Sequence, residues 1–161
     1  MIKSKQRVKD YGEVYTSERE VKAMCDLIPQ DVWEKIESTF LEPTCGNGAF
    51  LKEIFARKLA YCKDERDGLK ALNSIFGIDI LEDNVNESRE LLLIMFLDRF
   101  PNASKFSVAM AIMILRKRII CGDSLKIMQE WEQEDNKQAG DQIQWNINRL
   151  KQSNMPTRKN G

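Results

Sequence analysis

The sequence predicts the α/β class, a parallel sheet whose strands are joined by crossover helices. Three short runs read as strands: "TFLEP" (39–43), "SIFGIDI" (74–80) and "RIICGD" (118–123). Amphipathic stretches of helical length separate them, the alternation that places helices between parallel strands. A glycine pair, Gly46 and Gly48, follows the first run at once, and each run closes near a carboxylate: Glu42, Asp79 and Asp123.

The elements follow from local pattern. Residues 1–11 are polar and basic (Lys3, Lys5, Arg7, Lys9) and are expected to form a loose arm. "SEREVKAMCDLI" carries Val21, Met24, Cys25 and Ile28 at helical spacing, with Ser17 and Glu20 in a capping box. Pro29 ends that helix, and "DVWEKIEST" is a short one. "TFLEP" is a buried strand that Pro43 stops. Past the glycines, Phe50, Leu51, Ile54, Phe55 and Leu59 form one helical face, with Lys52, Glu53, Arg57 and Lys58 opposite. "CKDERDG" reads as an extended crossover into the second strand. "EDNVNESRELLLIMFLDRF" is a long helix, apolar and buried from Leu91 to Leu97. Pro101 breaks it, "ASKFSVAMAIMILRKR" is a further helix, and "RIICGD" is the third strand.

After Asp123 the chain turns polar, and helical only in parts, with no fourth strand. The expected organisation is an α/β domain over 1–125, including the arm, and a polar segment over 126–161. A sheet that stops after its third strand leaves one edge of the first unpaired. The C-terminal segment, a second copy or a partner subunit is expected to shield it.

Bulk properties exclude several classes. The chain has 161 residues, enough for a domain burying about 70% of its unfolded surface. Lys plus Arg equal Asp plus Glu at 25 each, so no global field draws it to nucleic acid or membrane. There is no histidine, and Cys25, Cys45, Cys62 and Cys121 are scattered, so neither a structural nor a catalytic metal site is expected. The N-terminus lacks the apolar core of a signal peptide, and no apolar run reaches the roughly 20 residues of a membrane span. A cytoplasmic protein with free thiols is expected.

Open parallel sheets bind ligands beyond the C-terminal ends of their strands, where glycines let the backbone approach. The dinucleotide fingerprint fails, because Leu51 stands at its third glycine. Glu42 beside the turn would repel a pyrophosphate and suits an ammonium group; otherwise it caps a helix or pairs with a lysine. Asp79 can accept from ribose hydroxyls, although it lies 33 residues after Gly46 where about 20 is usual; the alternative is an N-cap. Asp123 can accept an adenine amino group, with Leu125 or Ile80 on the ring faces; the alternative is capping the helix from Ser124. An ammonium, a ribose and an adenine together describe S-adenosyl-L-methionine.

"GEVYTSEREVKAM", "FLEPTCGNGAFL", "GIDI" and "GDSL" resemble, in order, the N-terminal half of S-adenosylmethionine-dependent DNA adenine methyltransferases. The likeness covers roughly residues 7–126 and is closest to the modification subunits of restriction-modification systems. It implies a Rossmann-like methyltransferase fold, here ending after the third strand. It also implies site roles. Tyr11, Tyr15 and Thr16 would hold the methionine end of the cofactor, aided by the N–H groups of the helix that starts near Ser17. Glu42, Thr44, Gly46 and Gly48 would line the methionine and sugar site. Asp79 with Ile80 would take the ribose and one adenine face, and Asp123 with Ser124 the adenine edge. Ser17 stands where the family has proline.

The family's Asn/Asp-Pro-Pro-Tyr/Phe segment, which grips the flipped target base, has no counterpart: the only proline after Pro101 is Pro156. Neither Cys45 nor Cys121 follows a proline, as a cytosine-5 nucleophile in that chemistry does. The resemblance thus implies a DNA adenine methyltransferase part completed by a partner, with DNA reached through that partner, other restriction-modification subunits or a second copy. The alternatives are a non-catalytic S-adenosylmethionine-binding or scaffold module, and an RNA or protein methyltransferase. The basic residues of the arm and of the tail (Arg149, Lys151, Arg158, Lys159) either touch phosphates or are solvated termini.

Overall fold

The structure, a computed structural model, describes residues 4–11 and 13–153, with side chains described as far as residue 138. It divides into two compact units, Met1–Ser124 and Leu125–Gly161.

The first unit is α/β. Its elements are α1 (Lys5–Tyr11), α2 (Glu18–Asp26), α3 (Gln30–Glu34), β1 (Phe40–Glu42), α4 (Ala49–Leu59), α5 (Glu65–Asn73), β2 (Ile75–Asp79), α6 (Glu82–Arg99), α7 (Lys105–Arg118) and β3 (Ile119–Cys121). The three strands are parallel in the order β1-β2-β3. Among the described residues, β1 pairs on one side only. Glu42 pairs with Gly77, and Asp79 with Cys121.

Both crossovers step the same way along the sheet, and right-handed connections then lie on one face. α4 packs on β1 and β2, α6 and α7 pack on β2 and β3, and the helices pack on one another. The core between them includes Leu51, Phe55, Leu72, Ile75, Leu92, Phe96 and Ile119. A Cβ on Gly77 would point at Leu51 and Cys45 on this helical side. Pleat alternation puts Leu41, Phe76, Ile78 and Ile120 on the opposite face. There Leu41 is exposed, and the Arg118 guanidinium lies 4.5 Å from the Phe76 ring centroid.

Several sequence expectations are corrected. The arm is not loose over its whole length: Lys5–Tyr11 is helical, and Arg7 is ion-paired to Glu13 and Asp83. Lys3, Arg158 and Lys159 lie outside the described residues, while Arg149 and Lys151 belong to a helix whose side chains there are not described.

The crossover around "CKDERDG" is lengthened by a helix of its own, α5. Asp64 caps α5 by accepting from the N–H groups of Arg66 and Asp67. Gly68, which looks like a loop residue, lies inside that helix because a Cβ there would meet the Phe100 ring at 2.4 Å. Glycine at this position serves close packing.

Three helical faces also differ. Met24 is 55% exposed, and the buried stripe of α2 is Val21 and Cys25, one turn apart. In α6 the buried residues are Asn84, Val85, Ser88, Leu92 and Phe96, while Ile94 and Leu97 are exposed. A single stripe is covered, so Leu91–Leu97 is not buried as a block. Lys58, placed on the solvent face by its charge, is fully buried. Its ammonium donates to the carbonyls of Ile36 (2.7 Å) and Ser38 (2.6 Å), and it lies 4.9 Å from the Phe40 ring centroid. Those acceptors lie in the α3–β1 connection, where the Ile36 carbonyl also accepts from the Ser74 hydroxyl at 3.2 Å.

The second unit is built on α8 (Ser124–Ser153), one continuous helix where only partial helicity is expected. Its Leu125 and Met128 are exposed. Among the described residues no helix is long and apolar enough to cross a membrane, and no cluster of His, Cys, Asp or Glu could hold a metal ion. All four cysteines are thiols, three of them buried and Cys121 exposed.

Candidate functional site at the strand ends

The backbone alone brings the glycine turn to the end of the central strand. After Glu42 the chain detours through Pro43 and Thr44, then the Cys45 N–H donates to the Ile78 carbonyl at 2.8 Å. On the other side the Gly122 N–H donates to the Asp79 carbonyl at 2.9 Å. Residues 42–46, 78–80 and 121–123 therefore meet at one end of the sheet.

Register sets the carboxylates as a staircase. Glu42 is level with Gly77, Asp79 lies two residues further, and Asp123 two residues beyond Cys121. At about 3.3 Å per residue and about 4.8 Å between strands, neighbouring steps are roughly 8 Å apart. Glu42 and Asp79 share the helical face of the sheet and are both half-buried. Asp123 is exposed and directly precedes Ser124, the first residue of α8.

Asp79 is held on three sides. Its Oδ2 accepts from the Gly46 N–H at 2.9 Å. Its Oδ1 accepts from the Leu81 N–H at 2.9 Å and from Asn84 Nδ2 at 3.2 Å. A carboxylate offers about four acceptor positions, so among the described residues one remains, on Oδ2. Glu42 Oε1 accepts from both the N–H and the hydroxyl of Thr44, at 3.1 and 3.2 Å. Asp79 is not a helix cap: the N-cap of α6 is Leu81, with no side-chain cap.

Gly46 and Gly48 both adopt positive φ, +53° and +89°, a region that favours glycine. Their open sides are filled by the protein itself. A Cβ on Gly46 would stand 3.3 Å from the Tyr15 ring, and one on Gly48 would stand 2.9 Å from Ser88 Oγ. Ser88 Oγ also donates to the Gly46 carbonyl at 3.2 Å. The glycines thus admit Tyr15 and α6 at those two points.

Tyr15 leads to a polar knot that the sequence reading missed. Glu13 Oε1 accepts from Asn84 Nδ2 (2.6 Å), Arg7 Nη2 (2.9 Å) and the Tyr15 hydroxyl (3.0 Å), and Oε2 accepts from Arg7 Nε at 2.6 Å. Arg7 reaches Asp83 as well, at 2.6 Å. Burial pushes the Glu13 carboxyl up, but the donors Asn84, Arg7 and Tyr15 outweigh it and hold the pKa below the ordinary value. Asp83, then Glu13, keep the Arg7 guanidinium protonated. The signal was present in "GEVYT" and "EDNV", an acid and an amide close to residues already singled out, but only tertiary contact joins them.

The remaining site residues are placed as follows. Tyr11, the last residue of α1, and Thr16 are exposed. Ser17 caps α2 in a complete capping box with Glu20, so part of that helix start is satisfied internally. Ile80 is exposed beyond β2. Burial, then Asp79, pushes the Cys45 thiol up to about 12, so it is no thiolate nucleophile at neutral pH.

No family model, no curated protein and no solved structure matches the chain.

Proposed function

We propose that this chain binds S-adenosyl-L-methionine and is the cofactor-binding part of a DNA adenine methyltransferase, a modification subunit of a restriction-modification system that a partner completes. One observation carries the reading. Glu42 and Asp79 end adjacent parallel strands on one face, with the two-glycine turn hydrogen-bonded to Asp79 and packed under Tyr15. Parallel sheets take their ligands at that end.

The groups fit the cofactor's chemistry. The remaining Asp79 acceptor suits a ribose hydroxyl, Glu42 suits the ammonium, and Asp123 with Ser124 and Ile80 suits the adenine. Tyr11, Tyr15, Thr16 and Thr44 surround the methionine end in this reading. When bound, the cofactor supplies an activated methyl group. The order β1-β2-β3 is also that of one half of a Rossmann-like sheet, and the open side of β1 is where the resemblance implies further strands. Four free thiols suit a reducing cytoplasm.

The sequence has no Asn/Asp-Pro-Pro-Tyr/Phe segment, which favours a second reading, a non-catalytic S-adenosylmethionine-binding module. Titration with the cofactor, followed by transfer of a radiolabelled methyl group to mixed DNA, to RNA and to protein, separates them. Binding with transfer to DNA adenine, alone or with a partner, supports the first reading. Binding without transfer in any arm supports the second. Failure to bind removes both.

A further inference from the structure

The acceptor that faces the proposed ligand is wired to the N-terminal helix. α1 has seven residues and buries none of them, and so short a helix does not hold its shape by local bonds alone. Its tie to the sheet end is Arg7, whose guanidinium spans Glu13 and Asp83. Glu13 in turn holds Asn84 Nδ2 at 2.6 Å, and the same Nδ2 donates to Asp79 Oδ1 at 3.2 Å. Asn84 is fully buried, so its orientation is set by these partners.

We infer that Arg7, acting through Glu13 and Asn84, is a positioning residue for Asp79, and that α1 is a strap whose docking and occupation of the strand-end cleft strengthen each other. With the strap docked, Asn84 occupies one lone pair of Oδ1, and the Gly46 N–H fixes Oδ2. The last acceptor then has one direction. With the strap undocked, Glu13 loses its cation, its hold on Asn84 is no longer fixed in direction, and Asp79 is left to the two backbone donors of Gly46 and Leu81. Coupling between two sites is reciprocal, so a ligand that needs Asp79 fixed holds α1 down. This inference rests on the cofactor reading above.

The test uses the full chain and S-adenosylhomocysteine. Calorimetric titrations compare wild type with Arg7→Ala, Arg7→Lys and Glu13→Gln, beside the unfolding midpoint of each. Hydrogen exchange of residues 5–11 is followed in wild type with and without the ligand. The expected results are a loss of affinity of about tenfold in Arg7→Ala, partial rescue in Arg7→Lys, unfolding midpoints that do not track these losses, and slower exchange over 5–11 on ligand binding. Wild-type binding with unchanged affinity in Arg7→Ala and Glu13→Gln overturns the inference alone, as does exchange over 5–11 that ignores the ligand. Absence of binding by wild type removes the cofactor reading and this inference together. Because the exchange readout needs no variant, a substitution that fails to fold leaves the inference falsifiable.

Discussion

Replacing Asn84 by alanine removes the centre of the polar knot. Its side chain donates to Glu13 and Asp79 and accepts from Arg7, and its Oδ1 competes with Glu13 for the single proton of the Tyr15 hydroxyl, in a position with no solvent exposure. Two carboxylates then lose a donor each. Hydrogen bonds to charged groups contribute about 1.5–3 kcal/mol, and the remaining donors and entering water recover part of that, so the expected loss is about 3 kcal/mol. For a unit of this size a loss of 1 kcal/mol lowers Tm by roughly 4 °C, giving a fall of about 12 °C. Thermal and guanidinium unfolding, followed by circular dichroism, measure it. Asn84→Asp is expected to be worse at neutral pH, since it sets a third carboxylate beside Glu13 and Asp79, and to recover in part as the pH falls. A change in Asn84→Ala below about 0.5 kcal/mol, the scale of an ordinary surface substitution, refutes the assigned network.

Three further substitutions test other parts of the fold. Gly48→Ala forces a Cβ into positive φ and to within 2.9 Å of Ser88 Oγ; a loss of about 2 kcal/mol or more in denaturant unfolding is expected. Gly68→Ala drives a methyl into the Phe100 ring at 2.4 Å; a loss of about 1–3 kcal/mol is expected, with Phe100→Leu restoring part of it. Burial pushes the Lys58 ammonium down to about 8, from 10.5. Between those values the unfolded chain holds the extra proton, so the Lys58 contribution to stability rises with pH across that window, by about 3 kcal/mol, while the buried thiols of Cys25, Cys45 and Cys62, pushed up by burial, act in the opposite sense above about pH 9. Unfolding of wild type and Lys58→Met measured from pH 7 to 10.5 checks it: the stability difference between the two is expected to shift in favour of wild type by that amount as the pH rises.

The class of the first unit was legible because strand runs and helical periodicity are local signals. Ser17 and Glu20 announced their capping box, and "TFLEP", "SIFGIDI" and "RIICGD" each contain the strand found. What was not legible depended on partners distant in sequence. Gly68 looks like a turn until Phe96 and Phe100 press against α5. Lys58 looks solvated until two carbonyls of the α3–β1 connection need a donor. A run such as Leu91–Leu97 does not say which of its sides is covered, and only Leu92 and Phe96 are buried there. The same holds at the site. Glu42, Asp79 and the glycines were visible as strand-end chemistry, whereas Glu13 and Asn84, 71 residues apart, were not. Arg7 carried a basic-arm reading because charge alone does not reveal an ion pair.

Whether the strand ends hold a sulfonium nucleoside is decided by equilibrium dialysis of S-adenosylhomocysteine against wild type and Asp79→Ala. Wild type is expected to bind saturably, one to one, and Asp79→Ala with affinity lower by at least about tenfold, a cost expected when a charged acceptor is lost. Unsaturable binding by wild type, or equal affinity in the two proteins, would contradict it.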